Sequence, residues 1–570
     1  MAGLLGFLGR GPERHAPDAA RGDKGPFLEG LMQDVPLSIP DILDHAACFH
    51  GAREMVTRTL EGPIHRTTYA DLHLRARKCA QALKRLGVKP GERIATLAWN
   101  TYRHFEAWYG IIGTGAVCHT INPRLFEDQI VYISNHAENP YIFTDTTFVP
   151  ILEKIADRLD SAKAFIVLAD RAHMPKSKLK NLICYEDMIA AEDGRFNWVR
   201  MPETAAAGLC YTSGTTGNPK GVLYSHRSNI LMYLASGVGD GISLHSSDTI
   251  LAVVPMFHAN SWGLVYSAPS NGAKLVLPGM KLDGPSVYEL LETEKVTFTA
   301  AVPTVWLMLL QHLEANNLKL STLKRVVIGG SAVPRRILEA FEDNYGVEVI
   351  HAWGMTETSP IGTLCVLKAG QTDLPRAEQV KIKLKQGRPI FPVQLKIVDD
   401  EGKALPHDGK AFGRLMIKGP FIAKAYFKGE GGDPLDADGY FDTGDVATID
   451  GEGFIQITDR AKDVIKSGGE WISSIEIENI AVGHPKVAEA AVIGLYHPKW
   501  DERPLLIIVP KAGESVTREE ILAYLEGKIA KWWMPDDVVF IEEMPHTATG
   551  KIQKTALREM FKDHVLPTAK

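Results

Sequence analysis

From Thr68 the chain reads TYADLHLRARKCAQALKRLG, with apolar side chains at Leu72, Ala76, Cys79, Ala80, Leu83 and Leu86. Steps of three and four put them on one helical face. Thr68 with Asp71 three positions on has the form of a capping box, and Gly87 is placed to end the helix. The period then shortens. ERIATLAWN (92–100) predicts a strand, a helix follows over about 102–113, and GAVCHTIN predicts the next strand. Short apolar runs, often β-branched, continue the alternation: YIFTD, AFIVLAD, GLCYTSG, TILAVVP, KLVLP, VTFTAAVP, KRVVIGG and VEVIHAWG. Helical patterns such as 305–314 and 335–344 separate most of them. Strands alternating with helices predict mostly parallel sheets covered by helices.

Beyond about residue 360 the texture changes. PVQLKIVD, GRLMIKG and GFIQITD, set between Gly/Asp turns, predict a β-rich subdomain at about 387–459. From about 460 the strands EAAVIGLY and LLIIVPK accompany a helix around 518–531. The expected class is α/β, and at 570 residues one core does not suffice. Residues 1–28 read as a flexible tail. A large N-terminal domain, 29–459, carries helix-covered sheets plus the β-rich part, and a small mobile α+β C-terminal domain spans 460–570.

Composition narrows the function classes. Apolar residues make up 45% and charged residues 23%, ordinary for a soluble globular chain. A net charge of −6 argues against a nucleic-acid surface. Cys48, Cys79, Cys118, Cys184, Cys210 and Cys365 are scattered, with no C-x-x-C, which fits a reducing compartment and a cytoplasmic protein. The apolar run 4–8 is too short for a secretory signal and follows no basic segment. No run is long enough to span a membrane.

YTSGTTGNPKG (211–221) then stands out. Small residues and hydroxyls let backbone N–H groups approach phosphate oxygens, and Lys220 adds a point charge. The order is not that of G-x-x-x-x-G-K-[ST]. HAWGMTETSP (351–360) presents Thr356 and Glu357, and a carboxylate beside a nucleotide loop suits Mg²⁺. YFDTGDVATID (440–450) presents Asp445, an acceptor for ribose hydroxyls. DRAKDVIKSGGEWIS (459–473) and HTATGKIQK (546–554) complete the set. Taken singly, Glu357 is more often a helix-start acid, Asp445 more often a turn residue, and Lys551 simply an exposed lysine.

In order and spacing, the five motifs resemble the adenylate-forming superfamily of acyl-CoA synthetases, peptide-synthetase adenylation domains and firefly luciferase, over roughly residues 40–560. PMFHANSW and KSGGEWISS are most similar to bacterial medium- and long-chain fatty-acyl-CoA ligases and to ligases acting on 3-methylthiopropionate. The resemblance implies ATP, Mg²⁺ and coenzyme A acting on a small carboxylic acid, and a homodimer. It implies that an acyl-AMP forms with loss of pyrophosphate and that coenzyme A then takes the acyl group. It assigns Thr212, Ser213, Gly214, Thr215, Thr216, Gly217 and Lys220 to the phosphates. Thr216 and Glu357 would hold the metal, with Thr356 on the α-phosphate. Gly330, Ser331, Ala332, His351, Ala352, Trp353, Gly354 and Met355 would line the adenine, and Asp445 and Arg460 the ribose. Lys551 would serve adenylation, then swing away as the small domain rotates about Lys462. Ser467, Gly468, Gly469, Glu470 and Trp471 would then line the coenzyme A channel.

His258, Trp262, Val302 and Pro303 would face the acid. FHANSW offers no carboxylate for a substrate ammonium, which disfavours amino acids. A medium- or long-chain fatty acid is the expected substrate, with 3-methylthiopropionate or a short-chain acid as the alternative. A luciferase-type oxygenase shares the nucleotide motifs, but the C-terminal PTAK is not the peroxisomal SKL often carried by luciferases.

Overall fold

The computed structural model describes residues 28, 30–212, 218–460, 463–467, 470–546 and 552–569, with Glu470 and Trp471 as backbone only. Residues 1–36 form one unit, whose described residues 28 and 30–35 are exposed. From Leu37 onward the described residues hold four sheets.

The first sheet has seven strands in the order Leu182–Cys184, Ala164–Val167, Tyr141–Thr144, Arg93–Leu97, Val117–Thr120, Ala206–Tyr211 and Gly221–Ser225. All pairs are parallel except the last. The second, of nine strands, has a parallel centre (Glu348–Trp353, Arg325–Ile328, Phe298–Ala301, Thr249–Leu251, Lys274–Leu277 and Glu54–Arg58) and antiparallel edges. Alternation along the strands makes five layers. Ile94 of one sheet and Ile250 of the other enter a common core with helices Ile39–His50, Tyr69–Arg85 and Tyr102–Gly113. Ala95 and Ile142 face helices Glu127–Ala137 and Val149–Ile155, while Leu251 and Val326 face helices Gly284–Thr293 and Pro303–Ala315.

The helix expected after Thr68 spans Tyr69–Arg85. Thr68 Oγ1 accepts the Asp71 N–H at 3.3 Å, and Gly87 takes φ +84° just past the end. Two expected helices differ in extent. Helix Arg518–Leu525 stops short of 531 because Glu526 is extended and Gly527 takes φ +73°. The 335–344 pattern is an α-helical Arg335–Glu339 followed by a π turn, Ala340–Asn344. TILAVVP keeps only Thr249–Leu251 as strand, since the carbonyls of Ala252 and Val254 bond to a side chain instead of a ladder.

The β-rich part is an antiparallel sheet of Gln394–Val398, Gly413–Lys418, Phe441–Ile449 and Ile455–Arg460. The last sheet pairs Glu470–Ile472, Ile465–Ser467, Asp501–Pro510 and Val487–His497, with Asp537–Phe540 parallel to Asp501–Pro510. It has its own core, including Ile465, Ile477, Val492, Leu506 and Ile521. Ser473 Oγ donates to Thr458 O at 2.6 Å and Ser474 N to Asp459 Oδ2 at 3.0 Å, joining this sheet's helix Ser474–Val482 to the preceding strand.

Candidate active site

The Gly/Thr loop closes a hairpin. Tyr211 lies opposite Gly221, Thr212 N donates to Lys220 O at 2.9 Å, and Lys220 N donates to Thr212 Oγ1 at 3.1 Å. Ser213, Gly214, Thr215, Thr216 and Gly217 lie outside the described residues. The Lys220 ammonium stands 4.8 Å from the centroid of the Tyr426 ring. That ring leads to the next motif.

Strand Glu348–Trp353 ends at Gly354, where a Cβ would lie 1.7 Å from Pro360 O. Only glycine lets the chain fold back here. The turn Thr356–Thr358 follows. Glu357 is buried, and Tyr426 OH donates to its Oε1 at 2.7 Å. Tyr224 OH donates to Thr356 O at 2.7 Å and Ala423 N to Glu357 O at 2.8 Å. Burial pushes the Glu357 carboxyl above its usual range, while the Tyr426 hydroxyl and the Arg460 charge pull it back. Among the described residues no group of three or more His, Cys, Asp or Glu is arranged to hold a metal ion. The single Glu357 carboxylate, linked through Tyr426 to the Lys220 side chain, nevertheless fits Mg²⁺, which commonly takes one or two protein carboxylates and completes its shell from substrate phosphates and water.

Arg460 lies opposite Asp445 in the β-rich sheet, with Nε 3.0 Å from Asp445 Oδ1. Trp353 Nε1 donates to Asp445 Oδ2 at 2.9 Å. The adenine and ribose candidates from two sheets are thus bonded together. Gly330 takes φ +85° after strand Arg325–Ile328, and Ser331 is exposed beside it. His351 behaves differently. Its ring is wholly buried near the backbone of 383–385, both nitrogens lack partners, and burial holds its pKa down at about 4. Its imidazole is therefore a core group, while its strand neighbours Ala352 and Trp353 pack with the Trp262 core.

At the residues expected to face the acid the backbone is strained. Ala259, Asn260, Ser261 and Trp262 take φ of 42°, 61°, 52° and 52° before Gly263 at 82°. Left-handed conformation costs an L-residue about 1–2 kcal/mol. Buried bonds hold it: Ser261 Oγ to Val254 O at 2.7 Å and Asn260 Nδ2 to Asn229 Oδ1 at 3.0 Å. A Cβ on Gly329 would lie 3.4 Å from Trp262 Cη2, and one on Gly330 would lie 3.0 Å from Val302 Cγ1. Trp262 and Val302 therefore meet the Gly329–Gly330 turn. Pro303 opens helix Pro303–Ala315, and His258 is half-buried beside the turn.

In the last sheet Ser467 is buried and accepts from Arg503 Nη1 at 3.3 Å. Glu470 and Trp471 lie on strand Glu470–Ile472. Lys462, Gly468, Gly469 and Lys551 lie outside the described residues. The sequence reading missed Tyr224, Tyr426 and Asn100. The two tyrosines bond a motif more than sixty positions away, so no local spacing announces them.

Residues 43–427 match the AMP-binding enzyme family and residues 476–551 match the AMP-binding enzyme C-terminal domain. A medium-chain-fatty-acid–CoA ligase of Ectopseudomonas oleovorans is 49% identical over 94% of this chain and 98% of its own length. A 3-methylmercaptopropionyl-CoA ligase of Ruegeria lacuscaerulensis is 48% identical over 94% and 99%. The solved structure of the anthranilate CoA ligase AuaEII with anthranoyl-AMP superposes with a TM-score of 0.82 at 26% identity, covering 92% of this chain and 98% of that one. The chain belongs to the AMP-binding enzyme family.

Proposed function

We propose that this AMP-forming acyl-CoA synthetase activates a medium-chain or longer fatty acid. The acid's carboxylate attacks the α-phosphorus of ATP, the bond to pyrophosphate breaks, and an acyl-AMP forms. The coenzyme A thiol then adds to the acyl carbon, AMP leaves, and the thiol proton passes to solvent. Chemistry of this kind needs positioning and charge stabilisation more than protein nucleophiles.

The observation that carries this is the meeting of an apolar wall with a polar corner. Trp262 and Val302 approach Gly329 and Gly330, while Trp353 bonds Asp445 and Glu357 is buried against Tyr426. Glu357 would hold Mg²⁺, whose charge would offset that of the phosphates. Asp445 and Arg460 would orient the ribose, with Lys220 and the loop residues from Thr212 on the terminal phosphates. Lys551 would stabilise charge between carboxylate and α-phosphate, and rotation about Lys462 would bring Ser467–Trp471 to the thiol. The buried thiols of Cys79, Cys118, Cys184, Cys210 and Cys365 suit a reducing cytoplasm.

A second substrate has an observation behind it. The relative named for 3-methylmercaptopropionate stands at 48% identity, beside 49% for the medium-chain one. The test is pyrophosphate release across straight-chain acids from acetate to palmitate, with 3-methylthiopropionate included, with and without coenzyme A. Each buried methylene is worth about 0.8 kcal/mol, so kcat/KM should climb about fourfold per carbon until the pocket ends. A maximum at acetate or propionate, falling with length, overturns the long-pocket reading. A maximum near butyrate to hexanoate with strong 3-methylthiopropionate turnover selects the second substrate.

A further inference from the structure

The strand order of the seven-stranded sheet reverses between Arg93–Leu97 and Tyr141–Thr144. Such points ordinarily open into ligand crevices at the carboxyl ends of the strands. Here the place is filled by a small polar cavity lined by Glu61, Thr101, Arg103, Asp145 and Leu168. Asp145, the first residue past its strand, is 1% exposed. Its Oδ2 accepts the Trp99 N–H at 2.6 Å, and its Oδ1 has no partner. The Arg103 guanidinium is committed elsewhere, to Glu61 at 2.7 Å, Glu186 at 2.8 Å and Leu168 O at 3.3 Å. A buried carboxylate without its own counter-charge is costly to keep. What it touches is a two-residue bridge between the sheets.

Trp99 is the near half of that bridge. Its indole donates to Thr147 Oγ1 at 3.2 Å, and its ring lies 5.2 Å from Phe148 and 6.2 Å from Phe257. Asn100 is the far half, buried at 3% exposure. Its Nδ2 donates to Ala252 O and Val254 O, each at 2.8 Å, and its Oδ1 accepts Met256 N–H at 2.7 Å. One amide side chain thus grips three alternate residues immediately before the strained Ala259–Trp262 turn. Val254 O, bonded by Asn100, is also the acceptor for Ser261 in that turn. Backbone held in the left-handed region persists only where its surroundings over-determine it. Asn100 contributes three such bonds to this segment from outside it.

We propose that Asp145 and Asn100 are positioning residues for the acid: Asp145 fixes the Trp99 backbone, and Asn100 holds the segment that carries Phe257, His258 and Trp262. This rests on the reading that the 257–262 turn faces the substrate acid.

The test compares wild type with Asp145→Ala, Asp145→Asn and Asn100→Ala. KM for the acid and KM for ATP are measured separately in pyrophosphate release. Asp145→Ala, which removes one hydrogen bond, should raise the acid KM up to about tenfold, and Asn100→Ala, which removes three, at least as much, with the ATP KM within about twofold in both. Asp145→Asn keeps an acceptor for the Trp99 N–H and should restore the acid KM. Equal rises in both KM values, a fall in kcat alone, or failure of asparagine to rescue overturns the proposal. Amide hydrogen exchange gives a second reading that needs no turnover. In Asp145→Ala and Asn100→Ala, residues 256–262 should exchange faster while 350–353 stay unchanged. Unchanged exchange at 256–262 also overturns it. Lack of pyrophosphate release by wild type with every acid, together with faster exchange at 256–262 in the variants, removes the substrate reading and leaves the clamp standing.

Discussion

Replacing Tyr426 by phenylalanine tests the proposed metal role of Glu357 with one atom. The ring remains, so its packing near Phe441 and its face toward Lys220 are kept. What goes is the hydroxyl that donates to Glu357 Oε1 at 2.7 Å. Glu357 is only 5% exposed, so water cannot easily take over. A hydrogen bond to a charged group contributes about 1.5–3 kcal/mol, equivalent to about 10- to 150-fold in an equilibrium constant. Burial already favours the protonated acid, and the tyrosine opposes that. Its loss should favour the proton further and weaken the metal by competition. The assay is acid-dependent ATP–pyrophosphate exchange, titrated with Mg²⁺ at pH 6 and pH 8. Tyr426→Phe should need more Mg²⁺ than wild type, with a deficit that grows as pH falls and shrinks as it rises. The acid KM should not move. An unchanged Mg²⁺ requirement, or a deficit equal at both pH values, would refute the reasoning.

Asp145→Asn should raise the melting temperature at pH 8. Burial, with Glu61 adding to it against Trp99 N–H and Arg103, lifts the Asp145 pKa from 3.8 to about 7. The folded state therefore holds its proton more tightly, and stability is full below the unfolded pKa and lost as pH rises through 7. The variant's advantage should reach at most about 4 kcal/mol at pH 8 and vanish below pH 4, as thermal melts across that range will show. Trp262→Ala should shift the chain-length optimum in a kcat/KM series and cost about 3–5 kcal/mol of stability in denaturant melts; a stability loss with the substrate order unchanged makes Trp262 plain core. Lys551→Ala should slow adenylation by about 10²–10³ while sparing thioester formation from supplied acyl-AMP, measured as separate half-reactions.

Some of this was legible in the chain because the determining forces are local. The Tyr69–Arg85 helix follows from apolar spacing, a Thr68 cap and a glycine at Gly87, all within twenty residues. The alternation of short β-branched runs with helices was enough for mostly parallel, helix-covered sheets, because a strand buried on both faces must be apolar throughout. The motifs announced a nucleotide site for the same reason: their chemistry sits in consecutive residues. Helix Arg518–Leu525 shows the limit, since Gly527 ends a pattern whose apolar residues run on.

Tertiary structure alone decided the rest. Nothing in Ala259–Asn260–Ser261–Trp262 asks for four left-handed residues, and local energetics oppose them. Bonds from Asn229 and within the Val254–Ser261 segment, and the Asn100 grip on its approach, hold that conformation. Tyr426 reaches Glu357 across 69 positions, and Trp353 reaches Asp445 across 92. The sequence by itself marked the motifs in which phosphate, ribose and acyl roles are proposed. Which of them touch, and which, like His351, are turned into the core, depended on how the sheets stack. A long-range contact owes its existence to loop closure and packing over the whole chain, and leaves no periodic trace at either end.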